Sequence, residues 1–217
     1  LHTAYRRQRQ MCIRDSYMAH ENMRLAAQVI ACIRDEKKDI YGKIQKLMQE
    51  EGTSLEQLEE ELKDKMKKLY LPQPDEKTGI IPQFDGYFDL KEIDLSVYKN
   101  ASVVGTVFHD YSGEDVQKMQ AGKQADIVEL LYQMEDITTP DNKAKNYVYY
   151  EARTLHDSSL SKAIHSITAC DLGMEKEAYE MFMSAALTDL GQEMKSSDAG
   201  IHSANMGGVW QDVVMGF

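Results

Sequence analysis

Residues 149–167 read YYEARTLHDSSLSKAIHSI, and this stretch contains both a helix pattern and an unusual number of polar side chains. Its second half carries apolar residues at helical spacing, which predicts a helix over residues 158–172. Its first half places hydroxyls, a histidine and carboxylates directly before that helix. Two interpretations stay open: Asp157 or Ser158 caps the helix, or the serine hydroxyls and free backbone amides bind an anion.

Helical spacing recurs on both sides of this stretch, without the alternation of helices and strands that a parallel sheet would require. One helix also begins with a capping signature, in which Ser54 precedes Gln57 by three positions. The predicted helices span residues 17–33, 38–50, 54–69, 122–132, 141–149, 158–172, 175–190 and 203–215. The sequence therefore predicts an all-α fold, of the kind that helical bundles and barrels use.

Residues 71–90 interrupt the helices and hold three of the four prolines of the chain. Proline removes a backbone donor and fixes φ, so this composition predicts a long loop. We expect a short strand pair around Ile80 and Tyr87. Long loops inside compact domains are usually functional, which makes this loop a candidate for contact with a substrate.

The composition limits the classes of partner. The chain has 217 residues and a formal net charge of −11, which repels nucleic acid and anionic membranes. No apolar run approaches the roughly 20 residues that a membrane span needs. The three cysteines are scattered, which argues against a disulfide framework and favours the reducing cytoplasm.

The two ends of the chain differ from the rest. The first sixteen residues, LHTAYRRQRQMCIRDS, carry four arginines against one aspartate and resemble a translated sequencing adapter. We therefore expect residues 1–16 to lie outside the native fold and residues 17–217 to form the domain. The last residues, WQDVVMGF, stop within a helical pattern. Both ends are expected to be cut from a longer protein.

Two further groups of polar side chains stand at predicted helix starts. Lys123 and Gln124 lie at the start of the predicted helix of residues 122–132, where the helix dipole disfavours a lysine. Ligand binding and a solvated first turn explain these two residues equally well. His202 directly precedes residues 203–215. Donors at three helix starts would bind anions or hydroxyl groups if the fold brings them to one face.

Two features inside the predicted helices have structural explanations. Gly207 and Gly208 each cost about 1 kcal/mol relative to alanine, so the backbone there is expected to approach a neighbouring helix or a ligand closely. His165 stands among apolar residues, and the sequence predicts that it is a structural histidine of the core.

Four motifs, QFDGY, KQADIVELLY, YYEARTLHDSSLS and GIHSANMGGVWQ, occur in this order along the chain. Together they resemble the α-glucoside phosphorylases of glycoside hydrolase family 65, which act on maltose, trehalose, kojibiose or nigerose. The resemblance covers residues 17–217 and implies the C-terminal part of an (α/α)6 barrel catalytic domain. It also implies phosphorolysis of an α-glucosidic bond with inversion, giving β-glucose 1-phosphate, with inorganic phosphate as co-substrate and neither cofactor nor metal.

The resemblance assigns roles to individual residues. It implies that phosphate is bound by Lys123, Ser158, Ser159 and His202. It implies that the sugar is contacted by Lys123, Gln124, Glu151 and Arg153. The family's general acid is the glutamate of a DEY motif, which this sequence does not contain. We therefore expect the 217-residue chain alone to lack phosphorolytic activity. The resemblance also implies that the longer parent protein is a homodimer.

Three other functions remain open at this stage. A hydrolase of the same family would need a second carboxylate as base. A metal-dependent phosphohydrolase of the HD type would use the His109-Asp110 and His156-Asp157 pairs, but the histidines are few for such a ligand set. A helical interaction module without activity would leave the polar helix starts unexplained.

Overall fold

The computed structural model describes residues 12–99, 105–124, 126–190 and 200–217. These residues divide into two compact units, residues 12–71 and residues 72–217. Among them no helix is both long enough and apolar enough to cross a bilayer.

The unit of residues 12–71 consists of three helices, α1 (Cys12–Glu36), α2 (Lys38–Glu50) and α3 (Leu55–Lys68). Helix α1 contacts both α2 and α3. The predicted cap is confirmed, since Ser54 Oγ accepts a hydrogen bond from the Gln57 backbone N–H at 3.1 Å. Helix α1 begins five residues before the predicted residue 17, and Ile13 is fully buried.

The unit of residues 72–217 contains the remaining helices. They are α4 (Ser96–Lys99), α5 (Gly113–Val116), α6 (Asp126–Gln133), α7 (Pro140–Glu151), α8 (Ser161–Asp171), α9 (Glu175–Ala186) and α10 (Ser203–Met215), with 3-10 turns at Tyr87–Asp89, Thr106–His109 and Glu135–Ile137. Helix α8 contacts α6, α7, α9 and α10. It supplies Ala163, Ile167 and Ala169 to the buried core, which confirms the all-α fold.

The long loop contains no strand pair, so that prediction is wrong. Tyr87 begins a 3-10 turn instead, and α7 satisfies the polar backbone groups near Ile81. The Asn146 amide accepts from the Ile81 N–H at 2.8 Å and donates to the Gly79 carbonyl at 2.9 Å. The Tyr150 hydroxyl donates to the Ile81 carbonyl at 2.5 Å. Side chains of α7 thus form the hydrogen bonds that a neighbouring strand would otherwise form.

Helix α10 packs closely against α8. A Cβ atom added at Gly208 would lie 3.1 Å from Ala163 Cβ, whereas one at Gly207 would meet nothing within 4 Å. Close helix packing therefore explains Gly208, and Gly207 has no such explanation. This contact fixes α10 against the helix that begins after the serine pair.

Candidate functional site

Residues 122–124 run beside the chain that follows α7. The Gly122 N–H donates to the Arg153 carbonyl at 2.9 Å, and the Leu155 N–H donates to the Gly122 carbonyl at 2.8 Å. A Cβ atom at Gly122 would lie 3.1 Å from the Gln124 carbonyl oxygen, so glycine permits this tight path. Helix α6 starts at Asp126, not at the predicted residue 122. Lys123 and Gln124 consequently lie on a loop near residues 157–160, the segment with Ser158 and Ser159 that we call the serine turn.

The serine pair lies in a turn that precedes α8. The helix begins at Ser161, three residues after the predicted start, with Leu160 at the N-cap position and no capping side chain. The prediction that Asp157 or Ser158 caps the helix is therefore wrong. The Ser158 carbonyl accepts from the Ser161 N–H at 3.1 Å, and Ser158 Oγ accepts from the Leu160 N–H at 3.4 Å.

His156 gives this turn its shape. Its φ of 57° lies in the left-handed region, which non-glycine residues rarely adopt and which costs about 1–3 kcal/mol. The ring is buried, with Nδ1 2.9 Å from Ser161 Oγ and Nε2 3.0 Å from Glu151 Oε2. The two contacts tie the start of α8 to the end of α7 and hold the backbone in this conformation.

Glu151 is the centre of a buried group of charged and polar side chains. Its Oε1 lies 2.5 Å from Lys99 Nζ, and its Oε2 lies 2.5 Å from His165 Nδ1 and 3.0 Å from His156 Nε2. We call these four residues the Glu151 cluster. His165 is a buried histidine of the core, as predicted, and its Nδ1 contacts this carboxylate.

The tautomers of the two histidines follow from the carboxylate. An ionised carboxylate can only accept hydrogen bonds, so the neutral ring must donate from the nitrogen that faces it. His156 then donates from Nε2 and accepts the Ser161 hydroxyl proton at Nδ1. Burial raises the pKa of Glu151, but hydrogen bonds from His156 and His165 outweigh it and hold that pKa far below 4.5. Burial lowers the pKa of His156 from 6.5 to about 4.

Lys123 lies close enough to the serine turn to act on its charges. Burial raises the pKa of Asp157, and the Gly105 N–H and the positive charge of Lys123 oppose that rise. The Lys123 side chain is exposed, and it forms no ion pair within the part of the chain that the structure describes. An exposed ammonium group beside a hydroxyl-bearing turn can bind an anion.

Arg153 is held by protein groups. Its Nε donates to Gln120 Oε1 at 3.1 Å and one terminal nitrogen donates to Glu92 at 2.9 Å. The guanidinium also lies 3.7 Å from the centre of the Tyr149 ring. These contacts attach Glu92 and Gln120 to the end of α7, and a direct contact of Arg153 with sugar stays a prediction.

His202 stands at the N-cap position of α10 and pairs with Asp189. Its backbone N–H donates to Asp189 Oδ2 at 2.9 Å, and its Nδ1 lies 2.6 Å from Asp189 Oδ1. Within the described ranges, no hydrogen bond or ion pair joins His202 to Lys123 or to the serine turn. The structure thus brings two of the three predicted helix starts together, and the place of His202 in the site stays a prediction.

The Glu151 cluster also has the composition of a metal site. Glu151, His156 and His165 each offer a ligand atom, and these atoms lie within 4.8 Å of one another. The Lys99 ammonium group already neutralises the carboxylate at 2.5 Å, and a divalent cation would be repelled by it. The geometry favours a hydrogen-bonded cluster. His109 of the other His-Asp pair is exposed and does not belong to it.

Comparison with known families decides the relationship. The sequence profile described as "Glycosyl hydrolase family 65 central catalytic domain" matches residues 14–211. The chain belongs to glycosyl hydrolase family 65. This membership removes the basis for the HD-type interpretation and confirms that the helices are part of the family's catalytic domain.

Similar proteins within family 65 are phosphorylases. A kojibiose phosphorylase of Halothermothrix orenii is 41% identical over 203 residues, covering 93% of this chain and 25% of that protein. An alpha,alpha-trehalose phosphorylase of Thermoanaerobacter brockii is 34% identical over 205 residues, with the same coverage. The solved structure described as "Putative kojibiose phosphorylase from human microbiome" matches 95% of this chain and 29% of its own, with a TM-score of 0.78 and 28% identity. The chain thus spans about a quarter of the length of these curated relatives.

Sequence reasoning missed Lys99, His156 and His165 as partners of Glu151. One signal was present: a histidine within an apolar helix needs a polar partner when it is buried. The spacing of Glu151, His156 and His165 does not identify that partner, since a turn separates α7 from α8. Only the fold shows that all three converge.

Proposed function

We propose that the chain forms the phosphate and glucose sites of an inverting α-glucoside phosphorylase that acts on an α-linked glucose disaccharide. The observation that supports this most directly is the pairing of Gly122 with Thr154. It brings the loop that carries Lys123 and Gln124 alongside residues 153–155, three residues before Ser158, which supports one shared site for the cation, the amide and the two serine hydroxyls. A bound sugar and a bound phosphate need such donors side by side.

In this proposal the residues position the two reactants. Lys123, Ser158 and Ser159 bind the phosphate through charge-assisted hydrogen bonds. Gln124 and Lys123 contact the glucose ring, and His202 completes the phosphate site from the start of α10. The Glu151 cluster fixes the serine turn, since its member His156 also contacts the Ser161 hydroxyl at the start of α8. Phosphate is already an anion, so it needs orientation more than deprotonation.

The bond changes follow the inverting pattern. A phosphate oxygen attacks the anomeric carbon from the β face while the α-glycosidic bond breaks on the opposite face. A carboxylic acid protonates the leaving oxygen, and the products are β-glucose 1-phosphate and the released sugar. We assign that acid to no residue of this chain, because the DEY motif of the family is absent from it.

Ligand binding by the 217-residue chain tests the proposal. Phosphate is titrated with detection by phosphorus NMR, and glucose and kojibiose are titrated by calorimetry. Replacing Ser158 and Ser159 together by alanine is expected to weaken phosphate binding at least about 10-fold, because two hydrogen bonds to a charged group are lost. Lys123→Met is expected to weaken the binding of phosphate and of the two sugars.

The matched control is Lys118→Met, which removes an exposed lysine that forms an ion pair with Glu114 four residues before it. It is expected to leave both affinities within about 2-fold, as for most surface substitutions. If wild-type chain binds no phosphate, or if Lys118→Met has the same effect as Lys123→Met, the proposal fails. Incubation with each disaccharide and phosphate should release no glucose 1-phosphate from the chain alone.

The remaining parts of the proposal concern the setting of the enzyme. We propose a cytoplasmic location, which the scattered cysteines favour. We also propose that the full-length enzyme is a homodimer without metal or cofactor, as the resemblance implies. A hydrolase of the same family is the weaker alternative, because the related proteins named above are phosphorylases.

A further inference from the structure

One polar atom of the Glu151 cluster is buried without a partner. His165 is 1% exposed, and its Nε2 forms no hydrogen bond with any described residue. An unpaired buried polar atom costs about 1–3 kcal/mol. Such an atom in a native core usually has a partner in water or a ligand.

The chemistry of that atom follows from the other side of the ring. Nδ1 lies 2.5 Å from the Glu151 carboxylate, so Nδ1 carries the proton of the neutral ring. Nε2 is then an acceptor and requires a donor. The Lys99 ammonium group and the His156 ring face Glu151 and satisfy the same carboxylate, so neither supplies that donor.

His165 lines a small cavity. This cavity is lined by Gln124, Glu129, Leu160, Ser161, Ile164 and His165. It leaves about 10 Å³ for the centre of a water molecule, which is enough space to hold a water. Gln124, whose side chain forms no hydrogen bond with another described residue, lines the same cavity as His165.

We infer that one buried water molecule in this cavity links His165 Nε2 to the Gln124 side chain, and that His165 thereby positions Gln124. The inference rests on the proposed role of Gln124 in sugar binding. The water donates one hydrogen bond to His165 Nε2 and accepts another from the Gln124 amide NH2 group.

The link decides which end of the Gln124 amide faces the sugar. With the NH2 group turned to the water, the carbonyl oxygen points away from the cavity as an acceptor. A glucose hydroxyl therefore binds to Gln124 by donating its proton. His165 is a positioning residue, since it acts on the sugar only through the water and Gln124.

The test uses two substitutions that separate the two ring nitrogens. His165→Asn keeps an N–H near the position of Nδ1 and removes the acceptor at Nε2. His165→Gln keeps an acceptor near Nε2 and removes the donor to Glu151. Thr168→Val on the same helix is the control, because the Thr168 hydroxyl donates only to the Ile164 carbonyl one turn before it.

Three measurements are made on the full chain. Nitrogen NMR of the imidazole reports the tautomer, a nuclear Overhauser effect from water reports the buried molecule, and the side-chain amide signals of Gln124 report its order. In the wild type and in Thr168→Val we expect the Nδ1–H tautomer, a water cross-peak to the His165 ring and two sharp Gln124 amide signals. In His165→Asn the Gln124 signals broaden and glucose binding weakens about 3- to 10-fold, the equivalent of one hydrogen bond.

His165→Gln retains the Gln124 signals but unfolds at a lower urea concentration, because Glu151 has lost a donor. The inference is wrong if the wild type shows no water cross-peak, or if Gln124 is unchanged in His165→Asn. Loss of the water cross-peak on saturation with glucose would also overturn the inference, since a sugar hydroxyl would then replace the water as the donor to His165 Nε2. If the chain binds no glucose, the proposed function fails while the water and the Gln124 signals still decide this inference.

Discussion

Replacing His156 by asparagine is expected to change how the stability of the chain depends on pH. Burial lowers the pKa of His156 from 6.5 to about 4. Between these pH values the unfolded chain binds the proton and the folded chain does not, so the free energy of unfolding rises with pH across that window. The shift corresponds to about 3 kcal/mol, which is present above pH 6.5 and lost as the pH falls towards 4.

Asparagine is the informative replacement because it tolerates the left-handed backbone conformation and does not titrate. At pH 8 the variant loses the contacts with Glu151 and Ser161 and is expected to be less stable by about 2–3 kcal/mol. At pH 4.5 the wild type has lost most of the stability that its neutral His156 contributes. The difference in the free energy of unfolding between wild type and variant therefore narrows by about 2 kcal/mol.

The assay is urea unfolding followed by circular dichroism at intervals between pH 4.5 and 8, with wild type and variant compared at each pH. His109→Asn is the control for the substitution itself, because the His109 side chain is exposed and such changes usually stay within about 0.5 kcal/mol. A difference between wild type and His156→Asn that is constant with pH would show that His156 is not a buried neutral histidine.

Two further predictions concern α10. Burial raises the pKa of Asp212 from 3.8 to about 6, so ionisation of Asp212 lowers the stability of the chain as the pH rises through that range. In urea unfolding at pH 8, Asp212→Asn is expected to have a free energy of unfolding about 1–3 kcal/mol higher than the wild type. At pH 4 we expect no such gain. Gly207→Ala is expected to stabilise the chain by about 0.5–1 kcal/mol through helix propensity, whereas Gly208→Ala gains less or destabilises because its Cβ would lie 3.1 Å from Ala163; equal unfolding midpoints for the two would contradict the packing at Gly208.

The helices could be predicted from the sequence wherever an apolar stripe runs without interruption. The stripe of α10 gives Ser203–Met215 with both bounds correct. The starts of α6 and α8 could not, because each is accompanied by a contact that helical periodicity does not show. Gly122 pairs with Thr154 instead of entering a helix, and the Ser161 hydroxyl binds the His156 ring.

Lys99 and Arg153 already pair with carboxylates, and for this reason we assign much of the proposed phosphate binding to Lys123. Lys99 lies 2.5 Å from the Glu151 carboxylate and Arg153 lies 2.9 Å from Glu92, so the charge of each is already balanced. A phosphate group that brings about −1.5 to −2 charges to a chain of net charge −11 therefore needs a cation without a carboxylate of its own. Lys123 is a basic residue near the serine turn that forms no ion pair with a described residue, so it meets this condition. Substitutions at Lys99 or Arg153 should accordingly act through the fold, whereas substitution of Lys123 should act on phosphate affinity with the fold intact.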